Sequence, residues 1–255
     1  VQGTFDVQTI AFGWAPFSGG MLLYTRGRLG TGGVYALPVE PNFVLGEPTE
    51  LSDTEVSGIG SAAVTYGDGV WGAAWTEQGE PENAALRFVL LDDNGFIVRQ
   101  SQAVPGLGLG SLRIAYGRGA FGVAWTRRGE MGPPKPVMTL VDGGGDVIAT
   151  PEVIGPTGFA QVTEITWVGA SGFLVAWQES LEDSQSQVGL TRITAEGLVF
   201  DPYTFTREAG HSHLGLVMAG SFSRLGVWFT DDPAQTPSGY SDDARVISGA
   251  VSPCN

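Results

Sequence analysis

Residues 71–76 read WGAAWT, residues 121–126 read FGVAWT and residues 173–177 read FLVAW. Aligned on the closing aromatics Trp75, Trp125 and Trp177, the spacings are 50 and 52 residues. A further step of 51 reaches Trp228 in LGVWFT, and a step of 51 back from Trp75 reaches Tyr24 in MLLYTR. Five copies of about 51 residues account for all 255. A period of this size with strand-like content marks a propeller or an array.

Each copy has one internal grammar. An alternating or apolar run comes first: TIAFGWA, AAVTYG, LRIAYG, EITWVG, LGLVMAG. A short turn follows, such as Gly67-Asp68-Gly69 or Gly117-Arg118-Gly119, and then the aromatic-terminated phrase. A variable polar stretch leads to a third run, and a tight turn to a fourth, which the fifth copy cuts short at AVSPCN. Four strands of about five or six residues with their turns fill such a unit. Gly (39) and Pro (15) make about a fifth of the chain. Both are poor in helix interiors, so long helices are not expected.

These observations predict an all-β fold: a five-bladed β-propeller of four-stranded antiparallel blades. Residues 1–255 form one domain, with repeats at about 8–55, 56–107, 108–159, 160–210 and 211–255. The physical reason is burial. A lone four-stranded sheet cannot hide both faces, whereas radial packing covers each sheet with its neighbours. Trp75, Trp125, Trp177 and Trp228 are expected between blades, where large rings fill the gap. VQGTF at the start is expected to complete the short last blade.

The wording of the copies resembles the repeat of secreted or surface propeller proteins of myxobacteria and their relatives. Copy four carries it best, as FLVAWQES at 173–180 and LTRITAEGLVFDP at 190–202. Copies two and three keep the phrase and the turn (LDDNGFIV, VDGGGDVI) without the closing Asp-Pro. The resemblance covers the whole chain and implies a propeller that is secreted or at the cell surface. The five-blade count is also similar in architecture to the tachylectin-2 lectins. Their repeat wording is absent here, so none of their sugar-binding residues carries over.

Charge narrows the partners. The net charge is −14, the pI is near 4.4, and Lys135 is the one lysine. A nucleic-acid partner would need a basic stripe, which the sequence lacks. An anionic membrane surface would repel the chain, and no apolar run of 18 residues is present for insertion. The chain opens at Val1 with no leader in view, so a processed or trimmed product is expected. Cys254 is the single cysteine, which excludes an internal disulfide framework and leaves pairing with another chain, or with sequence beyond this stretch, as its remaining uses.

Propeller connections alternate between two faces. Those joining second to third strands and blade to blade are long and differ in every copy: TRGRLGTGG, TEQGEPENAA, TRRGEMGPPK, QESLEDSQSQ, TDDPAQTPSGYSDD. Function sits on long loops carried by a rigid scaffold. The candidate ligand-binding residues are therefore Arg26, Glu77, Arg127, Glu179, Asp231 and Tyr240, with Tyr203 near them. Arginines can stack on sugar rings or engage carboxylates, and acids can accept sugar hydroxyls.

No cofactor is expected. His211 and His213, the only histidines, form a weak alternative metal pair that needs further ligands. The DDNG (92–95) and DGGGD (142–146) segments read as hairpin turns rather than calcium loops. The function expected is an extracellular, non-catalytic, lectin-like module binding a glycan on the long-loop face. Two alternatives stand beside it: a structural subunit docking a protein partner, and a five-bladed glycoside hydrolase. Hydrolysis requires paired acids, and Glu164 is the only plausible one on the innermost strands.

Overall fold

The computed structural model describes residues 6–28, 31–52, 58–78, 84–128, 133–153, 158–180, 186–205, 211–221, 224–233 and 243–250, with only the backbone from 205 onward. Val1–Phe5, Tyr240 and Cys254 lie outside these residues, as do the side chains of His211, His213, Trp228 and Asp231.

Among the described residues the strands form five antiparallel sheets. The first holds β1 (Asp6–Ala15), β2 (Gly19–Arg28), β3 (Thr31–Val39) and β4 (Thr49–Glu50). The second holds β5 (Ile59–Gly67), β6 (Val70–Glu77), β7 (Ala85–Leu91) and β8 (Ile97–Gln100), and β9 (Val104–Pro105) also pairs with β7. The third holds β10 (Leu107–Gly117), β11 (Ala120–Arg128), β12 (Lys135–Asp142) and β13 (Val147–Ala149). The fourth holds β14 (Phe159–Trp167), β15 (Phe173–Ser180), β16 (Ser186–Ile193) and β17 (Tyr203–Phe205). The fifth holds β18 (His211–Ser221), β19 (Arg224–Pro233) and β20 (Asp243–Ala250). The one helical element among them is a 3₁₀ turn at Gly169–Ser171.

The first strands lie side by side in chain order: β1 against β5, β5 against β10, β10 against β14 and β14 against β18. The succession is open, and β18 makes no comparable contact with β1 among the described residues. Every first strand carries a register shift at the same place, between Gln8/Ala11, Ile59/Ala62, Leu109/Arg113, Val162/Glu164 and His213/Gly215. Such bulges bend a strand and sharpen its twist.

The core lies between the sheets. Trp75, Trp125 and Trp177 are almost wholly buried there, as expected from the repeated phrase. Glycines set how closely the sheets approach. A Cβ on Gly67 would overlap the Tyr116 ring, and one on Gly117 would overlap the indole of Trp167. Ser61 Oγ accepts the Leu112 N–H at 3.1 Å, and Ser111 Oγ donates to the Val162 carbonyl. One serine position, 50 residues apart in the chain, thus ties each of two sheets to the next.

The third-to-fourth connections are hairpin turns. Asp92 Oδ1 accepts the N–H groups of Asn94 and Phe96, and Asp142 Oδ1 those of Gly144 and Asp146, all at 2.9 Å. Gly95 and Gly145 supply φ of 80° and 88°, a region open to glycine at little cost. Each carboxylate is therefore occupied with its own turn, which explains the Asp residues without calcium.

Candidate functional site

Arg26, Glu77, Arg127 and Glu179 share one register position, two residues past the repeated aromatic on the second strand. The sequence placed them in long exposed loops. The structure instead carries the ladders past them, pairing Arg26 with Gly33, Glu77 with Ala85, Arg127 with Lys135 and Glu179 with Gln187. Side chains two apart on a strand share a face. These four therefore point the same way as their aromatics, with Glu77 and Glu179 buried and Arg26 exposed.

Glu77 and Glu179 are corrected on that ground. Glu77 is 7% exposed and Glu179 is fully buried. Glu77 Oε1 accepts the Trp75 indole N–H at 3.2 Å, and Glu77 Oε2 pairs with Arg87 Nε at 2.7 Å. Glu179 Oε1 accepts the Gly158 N–H, and Oε2 accepts the Gln187 amide at 2.5 Å. A buried carboxylate needs such donors, and once engaged it is no ligand contact.

The role of Glu77 has a cause in the third strand. Trp125 donates to Thr139 Oγ1 at 3.1 Å, and Trp177 to Thr191 Oγ1 at 3.0 Å. Thr139 pairs with Val123 and Thr191 with Val175. The matching residue of the second sheet is Val89, opposite Ala73, which has no acceptor. Glu77 takes the indole N–H in its place.

Arg26 is exposed. It lies near enough to Tyr35 to oppose the upward pull of burial and Glu50 on the phenol pKa. The Arg127 stem lies over Gly106, and its guanidinium sits 3.8 Å from Glu152. Lys135 reaches the same carboxylate at 3.7 Å. Both ion pairs are longer than hydrogen bonds and open to water. The Ala160 N–H reaches Pro134 O at 3.4 Å, bringing the start of β14 beside the chain entering β12. Phe159, which the sequence reading passed over, is 42% exposed there. Its signal was its place at the first residue of β14, where an inter-sheet connection ends. Tyr203 is exposed but lies on the outer strand β17, away from this rim. By backbone, Asp231 pairs with His213 and Asp243, and His211 with Pro233.

The inner strands hold one further charged pair. Arg113 Nε on β10 lies 3.8 Å from Glu164 Oε2 on β14. Burial raises the Glu164 pKa, and the Ile165 N–H and Arg113 pull it back down. Apart from Asp6 at the start of β1, Glu164 is the only carboxyl on the five first strands. Its neighbour is a base rather than a second acid. Among the described residues no group of three or more His, Cys, Asp and Glu could hold a metal ion. No described helix is long and apolar enough to cross a membrane.

No protein-family model and no curated protein sequence matches the chain. Solved structures do resemble it. A mutant apocarotenoid oxygenase of Synechocystis aligns with a TM-score of 0.55 at 8% identity, covering 94% of this chain and 62% of that one. A neuraminidase-like protein from A/bat/Guatemala/164/2009 aligns at 0.52 and 12% identity, covering 96% and 73%. A subtype N11 neuraminidase-like protein of A/flat-faced bat/Peru/033/2010 (H18N11) aligns at 0.50 and 11% identity, covering 91% and 69%. At such identities the likeness concerns fold alone, and with the five antiparallel sheets it makes this chain an all-β, β-propeller-like protein.

Proposed function

We propose that the chain is a non-catalytic binding module of the cell exterior, built as a five-bladed ring, that takes a carbohydrate at the rim where second strands pass to third. The observation that carries this reading is the cluster at the junction of the third and fourth sheets. Two cations, Arg127 and Lys135, face one carboxylate, Glu152, and the exposed Phe159 opens the strand whose next residue bonds Pro134, the neighbour of Lys135. Sugars are held by flat apolar faces with hydrogen-bonding groups beside them. Ion pairs of 3.7–3.8 Å in water hold their partners loosely, so the donors are free to turn to a ligand. Arg26 extends the same rim on the first sheet.

The hydrolase alternative loses support because the central carboxyl Glu164 faces Arg113, whereas glycoside cleavage uses two acids. The protein-docking alternative draws on Phe96, Val98, Ile148 and Leu198, apolar residues exposed at the third-to-fourth hairpins.

Glycan-array binding followed by titration tests the reading. Phe159→Ala and Lys135→Ala are expected to weaken binding at least about tenfold, and Lys135→Ala, an exposed change, should alter stability by no more than about 0.5 kcal/mol. Arg127→Ala should weaken binding as well. Binding that survives all three but is lost on changing the hairpins at 92–95 or 142–146 would move the site to the other face. Loss of binding on adding a chelator would bring His211 and His213 back as ligands.

A further inference from the structure

The third-to-fourth hairpins of the first four sheets are built alike, and each lifts apolar side chains into water. In every one, a side chain of the turn accepts the N–H of the residue that leaves it. Asn42 Oδ1 accepts the Val44 N–H at 3.1 Å, and Asp92 Oδ1 and Asp142 Oδ1 accept those of Phe96 and Asp146 at 2.9 Å. Thr194 Oγ1 accepts that of Leu198 at 3.2 Å. The following residue, Leu45, Ile97, Val147 or Val199, then bridges back to the third strand. A turn tied in this way cannot fold its side chains back onto the core. Val44, Leu45, Phe96, Val98, Ile148 and Leu198 are accordingly left 48–61% exposed.

These hairpins lie in a row. Gly95 sits against Pro38 and Ala36 of the first sheet, Gly145 against Arg99 and Leu90 of the second, and Gly197 against Ala149 and Leu140 of the third. The apolar side chains of one hairpin therefore continue into those of the next. Their surroundings are acidic. Glu40 and Glu47 flank the first hairpin, Asp92 and Asp93 open the second, Asp142 and Asp146 bracket the third, and Glu196 lies in the fourth. The described cations beside them are already engaged. Arg99 pairs with Asp146 at 2.9 Å, Arg118 stands 3.7 Å from Glu196, and Arg192 lies over the Phe200 ring at 3.6 Å.

We propose that this row of hairpins is a docking surface for a second protein, whose contact segment carries apolar side chains flanked by Lys or Arg. Apolar groups held exposed and contiguous mark interaction sites, and turns that are already fixed lose little freedom on binding. The carboxylates among them set the sign of the partner's charge. A second copy of this chain, with its net charge of −14, would bring acid against acid. An anionic membrane surface would meet the same repulsion. Strand addition is not the mode of contact. The outer strand β4 has two residues, β13 and β17 have three, and the pairing of β8 and β13 is broken by a register shift. Short and bulged edges discourage pairing with another chain, so recognition runs through side chains. The surface lies at the opposite end of the strands from the Arg127 rim, and it does not rest on sugar binding there.

The test uses the full chain and three labelled peptides of equal length, one of Lys and Leu, one of Lys and Ser and one of Glu and Leu. Binding is read by fluorescence anisotropy. The Lys–Leu peptide is expected to bind at least about tenfold more tightly than either of the others. Phe96→Ser and Leu198→Ser should each weaken that binding at least about fivefold. Both variants should leave glycan binding unchanged, so the two surfaces stand or fail separately. Lys–Leu binding no tighter than Lys–Ser binding would overturn the proposal, because charge alone would then account for it. Lys–Leu binding that both variants leave intact would overturn it as well. Binding to neutral phosphatidylcholine vesicles that Phe96→Ser abolishes would overturn it in favour of a membrane surface. A dimer by light scattering that Phe96→Ser turns into a monomer would overturn it in favour of a second copy. The side chains removed are exposed, so the urea midpoint should hold; Val98→Ser takes the place of either variant whose midpoint falls.

Discussion

Replacing Glu77 with alanine removes the acceptor of a buried indole N–H and one side of an ion pair. Trp75 is 1% exposed, so its N–H would find no water. An orphaned buried donor costs about 1–3 kcal/mol. The pair with Arg87 adds little more than about 1 kcal/mol, because the Arg87 side chain is a third exposed. Glu77→Ala is therefore expected to destabilise the protein by about 2–4 kcal/mol. The sharper test is rescue. Val89 occupies the register position from which Thr139 and Thr191 accept the indoles of the next two sheets. Val89→Thr should recover about 1 kcal/mol in the Glu77→Ala background. In the parent, where the indole already has its acceptor, the same change should be neutral or mildly destabilising. Urea denaturation of the four proteins in this cycle should give a coupling of about 1–2 kcal/mol. A Glu77→Ala variant within about 0.5 kcal/mol of the parent, or a Val89→Thr effect equal in both backgrounds, would refute the account of Glu77 as an indole acceptor.

Trp125→Ala should cost about 3–5 kcal/mol through lost burial and the cavity left behind; an unchanged denaturation midpoint would place that ring at the surface. Glu164 yields a pH prediction. Burial raises its folded pKa above the ordinary glutamate value of about 4.3. Its contribution to stability is then fully present below that value and is lost as pH rises through the raised pKa. Glu164→Gln cannot ionise, so its denaturation midpoint should match the parent at low pH and exceed it above the raised pKa. Parallel pH profiles for the two proteins would count against the raised pKa.

The sequence by itself determined the repeat, the strand grammar and the buried tryptophans. These are local and periodic properties: an apolar phrase returning every 50–52 residues, with turn residues at fixed offsets, leaves few ways to hide the apolar faces. The Asp92 and Asp142 turns were equally legible, because an Asx turn is made by neighbours in the chain. Glu77 and Glu179 were misread, although alternation on a strand already set each on the side of its tryptophan. The missing knowledge was how far the ladder runs beyond the aromatic, and polar wording alone does not end a strand whose backbone partners continue. The use of Glu77 depends on Val89, a residue from another strand that lacks a hydroxyl. The meeting of Arg127 and Lys135 on Glu152 joins β11, β12 and the segment after β13, and no sequence spacing encodes it. The uncovered face of Phe12 and Trp14 is likewise a tertiary fact. In the sequence they stand in the run TIAFGWA, which reads only as a first strand, and their exposure of 56% and 43% shows only in the folded chain.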